Sequence, residues 1–376
     1  MAKFDQYLDY EEDFQPQGKR ENRKERQERS SRDRSKYKKT DQDQKHEHLQ
    51  EKPPSIGEDQ KRGRVLRISP DMITVAADDA IFTCILKGSL KKERTKQKNL
   101  LAVGDWVHVE MKSPDFGSIF HVEKRTSFLA RADNLSRRKQ QLIAVNIDQV
   151  FIVMSLVAPK FKPLLVDRYI LSAKKGNMAP IILINKSDLL TDPPENISQA
   201  DISAEKISLE EFLEAYRPLN LPILQLSVST GENLSELETL MHNKTSVFSG
   251  QSGVGKSSLI NAVLGSSLPI GDVVEKTRKG SHTTTSAELI PLKNKGFCVD
   301  TPGIKSFGVY DISPEDVLQI FPDFAPYTAR CKFPNCTHIH EPQCGIKEAL
   351  ETQELHPLRY ASYTTLLQEA PPKEWE

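Results

Sequence analysis

Two hydrophobic patterns divide this chain of 376 residues into regions. Between residues 62 and about 126, apolar and polar side chains alternate in short segments. Such alternation is typical of β-strands that bury one face. Five strands of this kind predict a small β-barrel, and an OB-fold fits their number and spacing. The segments are residues 64–68, 72–75, 81–86, 105–109 and 118–122.

From about residue 140 the pattern changes to continuous apolar runs, which are typical of parallel strands covered on both faces. Segments with a helical period alternate with these runs, so the sequence predicts an α/β fold with a mostly parallel sheet. The predicted strands are residues 150–154, 181–184, 223–227, 246–248 and 297–299, and the predicted helices are residues 164–175, 210–216, 234–241, 258–264 and 358–369.

The first 60 residues or so are polar and contain few aliphatic side chains. A segment of this composition cannot bury enough apolar surface to offset the entropy lost on ordering. We therefore expect a disordered, charged extension. Residues 19–39 are locally basic, which fits either a solvated tail or an arm that touches RNA.

Charge and hydropathy limit the classes of partner. The chain has 52 Lys and Arg and 52 Asp and Glu, so a surface that binds nucleic acid has to be a local patch. No apolar run approaches the roughly 18 residues of a membrane span, and the acidic N-terminus lacks a signal-peptide core, so we expect a cytoplasmic protein. The barrel region either binds RNA through a basic loop or serves only to dock a protein. That loop contains Lys91, Lys92, Arg94, Lys96 and Lys98.

A phosphate-binding loop follows the predicted strand at residues 246–248. Its pattern is G-x-x-x-x-G-K-S, and a predicted helix comes directly after it. Glycines let backbone amides converge on phosphate oxygens, and the first amides of the helix also face the anion. We expect the lysine to reach the β- and γ-phosphates and the last serine to ligate Mg²⁺. The loop consists of Gly250, Gln251, Ser252, Gly253, Val254, Gly255, Lys256 and Ser257.

A guanine-reading N-K-x-D motif follows the predicted strand at residues 181–184. Its aspartate can accept hydrogen bonds from the N1–H and exocyclic amine of guanine, which adenine does not offer. Residues 227–229, Ser-Val-Ser, are the predicted supporting loop. The motif consists of Asn185, Lys186, Ser187 and Asp188.

Two switch elements are predicted after the phosphate loop. Asp300 and Gly303 form a D-x-x-G motif, in which the aspartate would hold Mg²⁺ and the glycine amide would sense the γ-phosphate. Ile304 follows, where Ras-like proteins carry a glutamine that orients water. Another residue or a partner must therefore organise the water.

Residues 279–285 lie where a first switch belongs, between the phosphate loop and the D-x-x-G motif. A threonine there, Thr284 or Thr285, should ligate Mg²⁺ in the GTP state. His282 either positions or deprotonates water or is an ordinary polar loop residue. The candidate catalytic residues are His282, Lys256 and Thr284.

The order of these motifs is unusual. An ordinary GTPase runs from phosphate loop to switch to base reader, whereas here the base reader comes first. The sequence therefore predicts a circularly permuted GTPase domain.

Three of the five cysteines lie in one short stretch with a histidine, in the pattern Cys-x₄-Cys-x-His-x₅-Cys. Three thiolates and one imidazole fill a tetrahedral zinc shell and leave no open position, so the site should be structural. His340 is a competing ligand of second choice. The predicted ligands are Cys331, Cys336, His338 and Cys344.

Together the permuted order, the phosphate loop with its helix start, the His-Thr-Thr-Thr switch at 282–285 and the cysteine cluster resemble the RsgA (YjeQ) family over residues 62 to about 370. The resemblance implies an OB-fold, a permuted GTPase domain and a zinc-binding C-terminal domain. It also implies late binding to the small ribosomal subunit, GTP hydrolysis that the subunit stimulates, and release coupled to hydrolysis. By resemblance His282 is catalytic and the four cluster residues are the zinc ligands.

These inferences predict four regions: a disordered extension (1–60), an OB domain (61–126), the permuted GTPase domain (127–310) and a zinc domain with a C-terminal helix (311–376). The expected cofactors are GTP with Mg²⁺ and one structural Zn²⁺. The expected partners are the 30S subunit and its 16S-type rRNA, and the chain is expected to be a monomer. The alternative is a GTP-responsive binding module that hydrolyses poorly and docks a protein.

Overall fold

A computed structural model describes residues 60–78, 80–88, 90, 100–133, 136–267, 287–300 and 313–370. The predicted extension before residue 60 and the basic loop at 91–98 lie outside this part of the chain. So do His282, Thr284 and Gly303.

The first described strands close into the predicted barrel. Its order is β1-β2-β3-β5-β4, with β3 and β5 parallel and the other pairs antiparallel. Alternate side chains such as Val65, Val75 and Ile119 fill the interior, which is why the sequence alternates. The strands are β1 Gln60–Ile68, β2 Ile73–Ala77, β3 Ala80–Leu86, β4 Trp106–Ser113 and β5 Phe116–Val122.

An antiparallel hairpin that the sequence did not predict joins the barrel to the rest of the chain. Its strands are β6 Phe128–Asp133 and β7 Ser136–Val145. Ala144 of β7 bridges to Val103, and the Asn146 side chain donates to the Gly104 carbonyl at 3.0 Å. The hairpin therefore ties the barrel to the sheet that follows.

The α/β prediction is confirmed by a six-stranded sheet with the order β10-β9-β8-β11-β13-β12. Five strands are parallel, and the edge strand β12 is antiparallel to β13. Every residue of β8 and β11 is buried, and β8 contains the continuous apolar run at residues 150–154. The strands are β8 Gln149–Ser155, β9 Ala179–Asn185, β10 Ile223–Gln225, β11 Thr245–Ser249, β12 Glu288–Pro291 and β13 Phe297–Asp300.

Helices cover both faces of the sheet. They are α1 Leu164–Lys175, α2 Gln199–Tyr216, α3 Leu234–Met241 and α4 Lys256–Ser267. Helix α2 is much longer than the predicted 210–216. It begins at the cap Ser198, whose side chain accepts from the Asp201 N–H at 3.1 Å. The prediction was short because buried Glu205 interrupts the apolar stripe.

The C-terminal helices pack on the face of the sheet that carries α1 and α2. Phe321, Phe324 and Leu358 belong to the same apolar core as Ile170 and Phe212. No helix in the described ranges has the length and apolar character needed to cross a membrane. The C-terminal helices are α5 Pro314–Gln319, α6 Ala325–Thr328, α7 Gly345–Glu351 and α8 Pro357–Glu369.

A buried ionic cluster joins α8 to the sheet domain. Arg359 of α8 is 1% exposed and donates to Asp167 of α1 at 2.5 Å and to both carboxylate oxygens of Asp323 at 2.9 and 3.0 Å. The Tyr216 hydroxyl donates to the second oxygen of Asp167 at 2.5 Å. The guanidinium also lies 4.3 Å from the centre of the Phe321 ring.

Candidate functional site

The base-reading motif and the phosphate loop meet at the carboxyl edge of the sheet. Asn185 ends β9, and Gly250 follows the last residue of β11. Both strands are parallel neighbours of β8, so the loops that leave them emerge at the same edge. This is where an open parallel sheet binds its ligands.

The two motifs contact each other directly. The Asn185 amide donates to the Val254 carbonyl at 2.9 Å, and the Lys186 ammonium donates to the Gly253 carbonyl at 2.9 Å. A Cβ at Gly255 would collide with the Asn185 amide, so a glycine is required there. The contacts join two motifs that are far apart in the sequence into one site.

The phosphate loop has the backbone that its glycines predict. Gly253 and Gly255 have φ values of +85° and +96°, which other residues adopt only with strain. The Lys256 ammonium donates to the Gly250 and Gln251 carbonyls, both at 2.6 Å. Burial lowers the pKa of this lysine. The ammonium thus donates to two carbonyls of the loop, and a bound phosphate would compete with these carbonyls for its hydrogen bonds.

Asp188 is held by the predicted supporting loop. Ser227 and Ser229 donate to its two carboxylate oxygens at 2.5 and 2.8 Å. Partial burial by itself raises the pKa of Asp188, but the two serine hydroxyls outweigh it and the pKa is lowered. The carboxylate is therefore ionised and can only accept hydrogen bonds. Ser187 instead donates to the exposed Glu232 at 2.7 Å.

The described part of the switch region is short. Asp300 ends β13, which is parallel to β11, so it lies at the same edge as the phosphate loop. Glu288 of β12 is opposite Asp300 in the antiparallel register. Burial raises the pKa of Glu288, the nearby Asp300 raises it further, and Arg67 of the barrel opposes both. This acidic neighbour of Asp300 was not anticipated from the sequence.

The four predicted zinc ligands come together in the C-terminal region. The ligand atoms of Cys331, Cys336, His338 and Cys344 all lie within 4.8 Å of one another. The corners of a tetrahedron with zinc–sulfur bonds of about 2.3 Å lie about 3.8 Å apart. The Sγ atoms of Cys331 and Cys344 are 3.9 Å apart, and the His338 Nδ1 is 3.5 and 3.4 Å from them. The donor set therefore fits zinc, and His340 is not part of the cluster.

Two side chains that the sequence analysis did not single out stabilise the loop around His338. Glu341 accepts from the Thr337 N–H at 2.7 Å and from the Ile339 N–H at 3.2 Å. Tyr360 of α8 donates to the carbonyl of His338 at 2.8 Å. His338 itself has a φ of +63°, so these bonds stabilise an unfavourable backbone.

Removing the metal should unfold the C-terminal region. Structural zinc binding contributes directly to folding, and its loss leaves several thiols without a partner. We expect a chelator or Cys336→Ser to lower the melting temperature by more than about 10 °C. Differential scanning calorimetry measures the shift. Cys84→Ala, which removes a thiol inside the barrel, is the matched control and should retain the full response to chelator; coincident melts with and without chelator would contradict the prediction.

Comparisons with known proteins agree with this geometry. A sequence model described as RsgA GTPase matches residues 122–310. The small ribosomal subunit biogenesis GTPase RsgA of Chlorobaculum parvum is 37% identical over 278 residues, which cover 72% of this chain and 85% of that protein.

Two solved structures share the fold. The crystal structure of YjeQ from Thermotoga maritima superimposes with a TM-score of 0.65 and 29% identity, covering 83% of this chain and 98% of that one. The structure of YloQ, a circularly permuted GTPase, gives a TM-score of 0.63 and 26% identity over 86% of this chain and 100% of that one. Because the family model covers half of the chain and a relative is 37% identical over 72% of it, the chain belongs to the RsgA GTPase family.

Proposed function

We propose that this chain is a GTPase that binds the small ribosomal subunit late in its maturation and leaves it after hydrolysing GTP. The direct contact of the Asn185–Lys186 pair with the phosphate loop carries the nucleotide part of the proposal. This contact joins the two motifs into one site, in which the N-K-x-D motif would bind the base and the phosphate loop would bind the phosphates. The ribosomal part rests on the related proteins, which are named as small ribosomal subunit biogenesis GTPases.

In this proposal Asp188 reads guanine, Lys256 and the loop amides bind the phosphates, and Ser257 and Asp300 hold Mg²⁺. Thr284 would complete the metal shell and Gly303 would sense the γ-phosphate. Ile304 stands in the place of the usual glutamine, so His282 or the ribosomal partner must organise the attacking water.

The barrel (61–126) and the zinc domain (311–376) would contact 16S-type rRNA on either side of the GTPase domain (127–310). The chain would act as a monomer in the cytoplasm, where small subunits are assembled. The zinc ion would be structural. The four-residue thiol and imidazole set supports that role because it leaves no position for a substrate.

GTP hydrolysis measured with and without purified small subunits tests this function. We expect the small subunit to raise kcat by about tenfold or more, because the partner completes a site that lacks its glutamine. Large subunits are the matched control and should have little effect. His282→Ala should abolish the stimulation while leaving nucleotide binding intact. Equal rates with and without small subunits would argue against the proposal.

A second candidate function is a nucleotide-responsive module that docks a protein. Three apolar side chains of the barrel favour it, because Met72, Ile81 and Ile85 are 57%, 50% and 41% exposed. Binding to rRNA at increasing salt distinguishes the two functions, since phosphate contacts weaken steeply with ionic strength. Binding that does not depend on salt would favour the protein partner.

A further inference from the structure

The loop that follows β8 lies between the two nucleotide-binding loops, and its backbone is strained. Val157 has a φ of +68°, and the Ala158 N–H donates to the Leu156 carbonyl at 2.8 Å. This is a γ-turn with a positive φ at its centre, which is rare and costs free energy, above all for a β-branched residue. Such a turn persists only where its surroundings impose it.

A single carboxylate holds both sides of this turn. Glu205 of α2 is 7% exposed, and its Oε2 accepts from the Val157 N–H at 2.9 Å and from the Phe161 N–H at 3.1 Å. The Phe161 ring packs edge-on against Phe212 of the same helix, with centroids 5.1 Å apart. The loop backbone is therefore anchored to α2 from Val157 to Phe161.

The residues between these two amides contact both nucleotide-binding loops. The Ala158 carbonyl accepts from the Lys186 ammonium, which also donates to the Gly253 carbonyl at 2.9 Å. Pro159 lies against the phosphate loop, since a Cβ at Gly253 would be 3.5 Å from its Cδ. A displacement of this backbone would move an acceptor of Lys186 and a wall of the phosphate loop together.

We propose that Glu205 is a positioning residue for guanine-nucleotide binding. By fixing the backbone from Val157 to Phe161, it places the Ala158 carbonyl, and through it Lys186 and the phosphate loop. The inference rests on the proposed function, since it adds a residue to the same site. Because Glu205 acts on the resting geometry of the binding loops, its loss should raise KM and leave kcat at saturating GTP nearly unchanged.

Two nearly isosteric substitutions test the role. Glu205→Gln keeps one carbonyl oxygen that can accept both amides, whereas Glu205→Met fills the same space and offers no acceptor. We expect Glu205→Met to raise the Kd for N-methylanthraniloyl-GDP by about tenfold or more, and Glu205→Gln by less than about threefold. Leu209→Ala, which truncates a buried side chain one turn further along α2, is the control. It should lower the melting temperature without changing Kd.

Several outcomes would overturn the proposal. A folded Glu205→Met variant with the wild-type Kd would do so, as would a rise in Kd for Leu209→Ala equal to that for Glu205→Met. If Glu205→Met does not fold, Glu205→Asp replaces it, because its shorter carboxylate cannot reach both amides, and an unchanged Kd then has the same meaning. Failure of the wild-type protein to bind the probe would overturn the proposed function itself. If the wild type binds the probe, the Kd values of the variants test the role of Glu205 alone.

Discussion

Replacing Asp188 with asparagine should transfer the base preference of the site from guanine to xanthine. The carboxylate is held by Ser227 and Ser229 as an acceptor, and its lowered pKa keeps it ionised at neutral pH. An asparagine turns one acceptor oxygen into an N–H₂ donor, which faces the N–H donors of guanine, whereas xanthine offers a carbonyl at C2. Polar sites reject such mismatched bases strongly, so we expect GTP to bind about 100-fold more weakly or worse.

Competition binding with GTP and XTP against a fluorescent guanine nucleotide measures the transfer. Ser229→Ala is the matched control, because it removes one supporting hydrogen bond and leaves the carboxylate in place. This substitution should weaken GTP binding by only a few-fold and should not make XTP the preferred nucleotide. Unchanged discrimination in Asp188→Asn would exclude this residue as the base reader.

Replacing Arg359 with methionine should destabilise the C-terminal helices and the sheet domain together. The substitution leaves the carboxylates of Asp167 and Asp323 buried without their cation, and breaking a buried pair in this way costs about 3–5 kcal/mol. Burial alone lowers the pKa of Arg359, but the two carboxylates outweigh it and the pKa is raised. The charged form is therefore the one that the cluster stabilises.

Chemical denaturation monitored by circular dichroism gives the change in free energy of unfolding. Arg330→Met is the matched control, since Arg330 is an exposed arginine of the same region that pairs with Glu354. That substitution should leave the stability nearly unchanged. If the two variants unfold at the same denaturant concentration, Arg359 does not anchor the C-terminal helices.

Elements whose hydrophobic pattern is complete within the segment were predictable. The apolar run at residues 150–154 predicted a strand covered on both faces, and β8 is that strand with one more buried residue at each end. Helix α1 was predicted at its observed bounds because its apolar residues repeat with a helical period. The phosphate loop and the N-K-x-D motif were recognisable because the residues that define each motif are adjacent in the sequence. Their direct contact was not predicted, because it depends on the order of β9, β8 and β11 in the sheet, which the sequence does not give.

Strands without a hydrophobic alternation of their own and contacts between residues distant in the sequence were not predictable. Hairpin β6–β7 was missed because residues 136–141 are polar and show no strand alternation. Arg359 and Asp167, 192 residues apart, read as surface charges until the fold buries them together. Glu205 likewise looks like a solvated helix position, because the amides that it binds carry no sequence signal. His282, Thr284 and Gly303 remain predictions from motif alone.

The permuted order of the sheet also affects the nascent chain. Synthesis from the N-terminus completes β8, β9 and β10 before β11 exists, so β8 is at first an edge strand. All seven residues of β8 are buried in the finished protein, and an unpaired apolar edge is a template for aggregation. The growing chain is therefore exposed to misassembly along β8 while it is still attached to a ribosome.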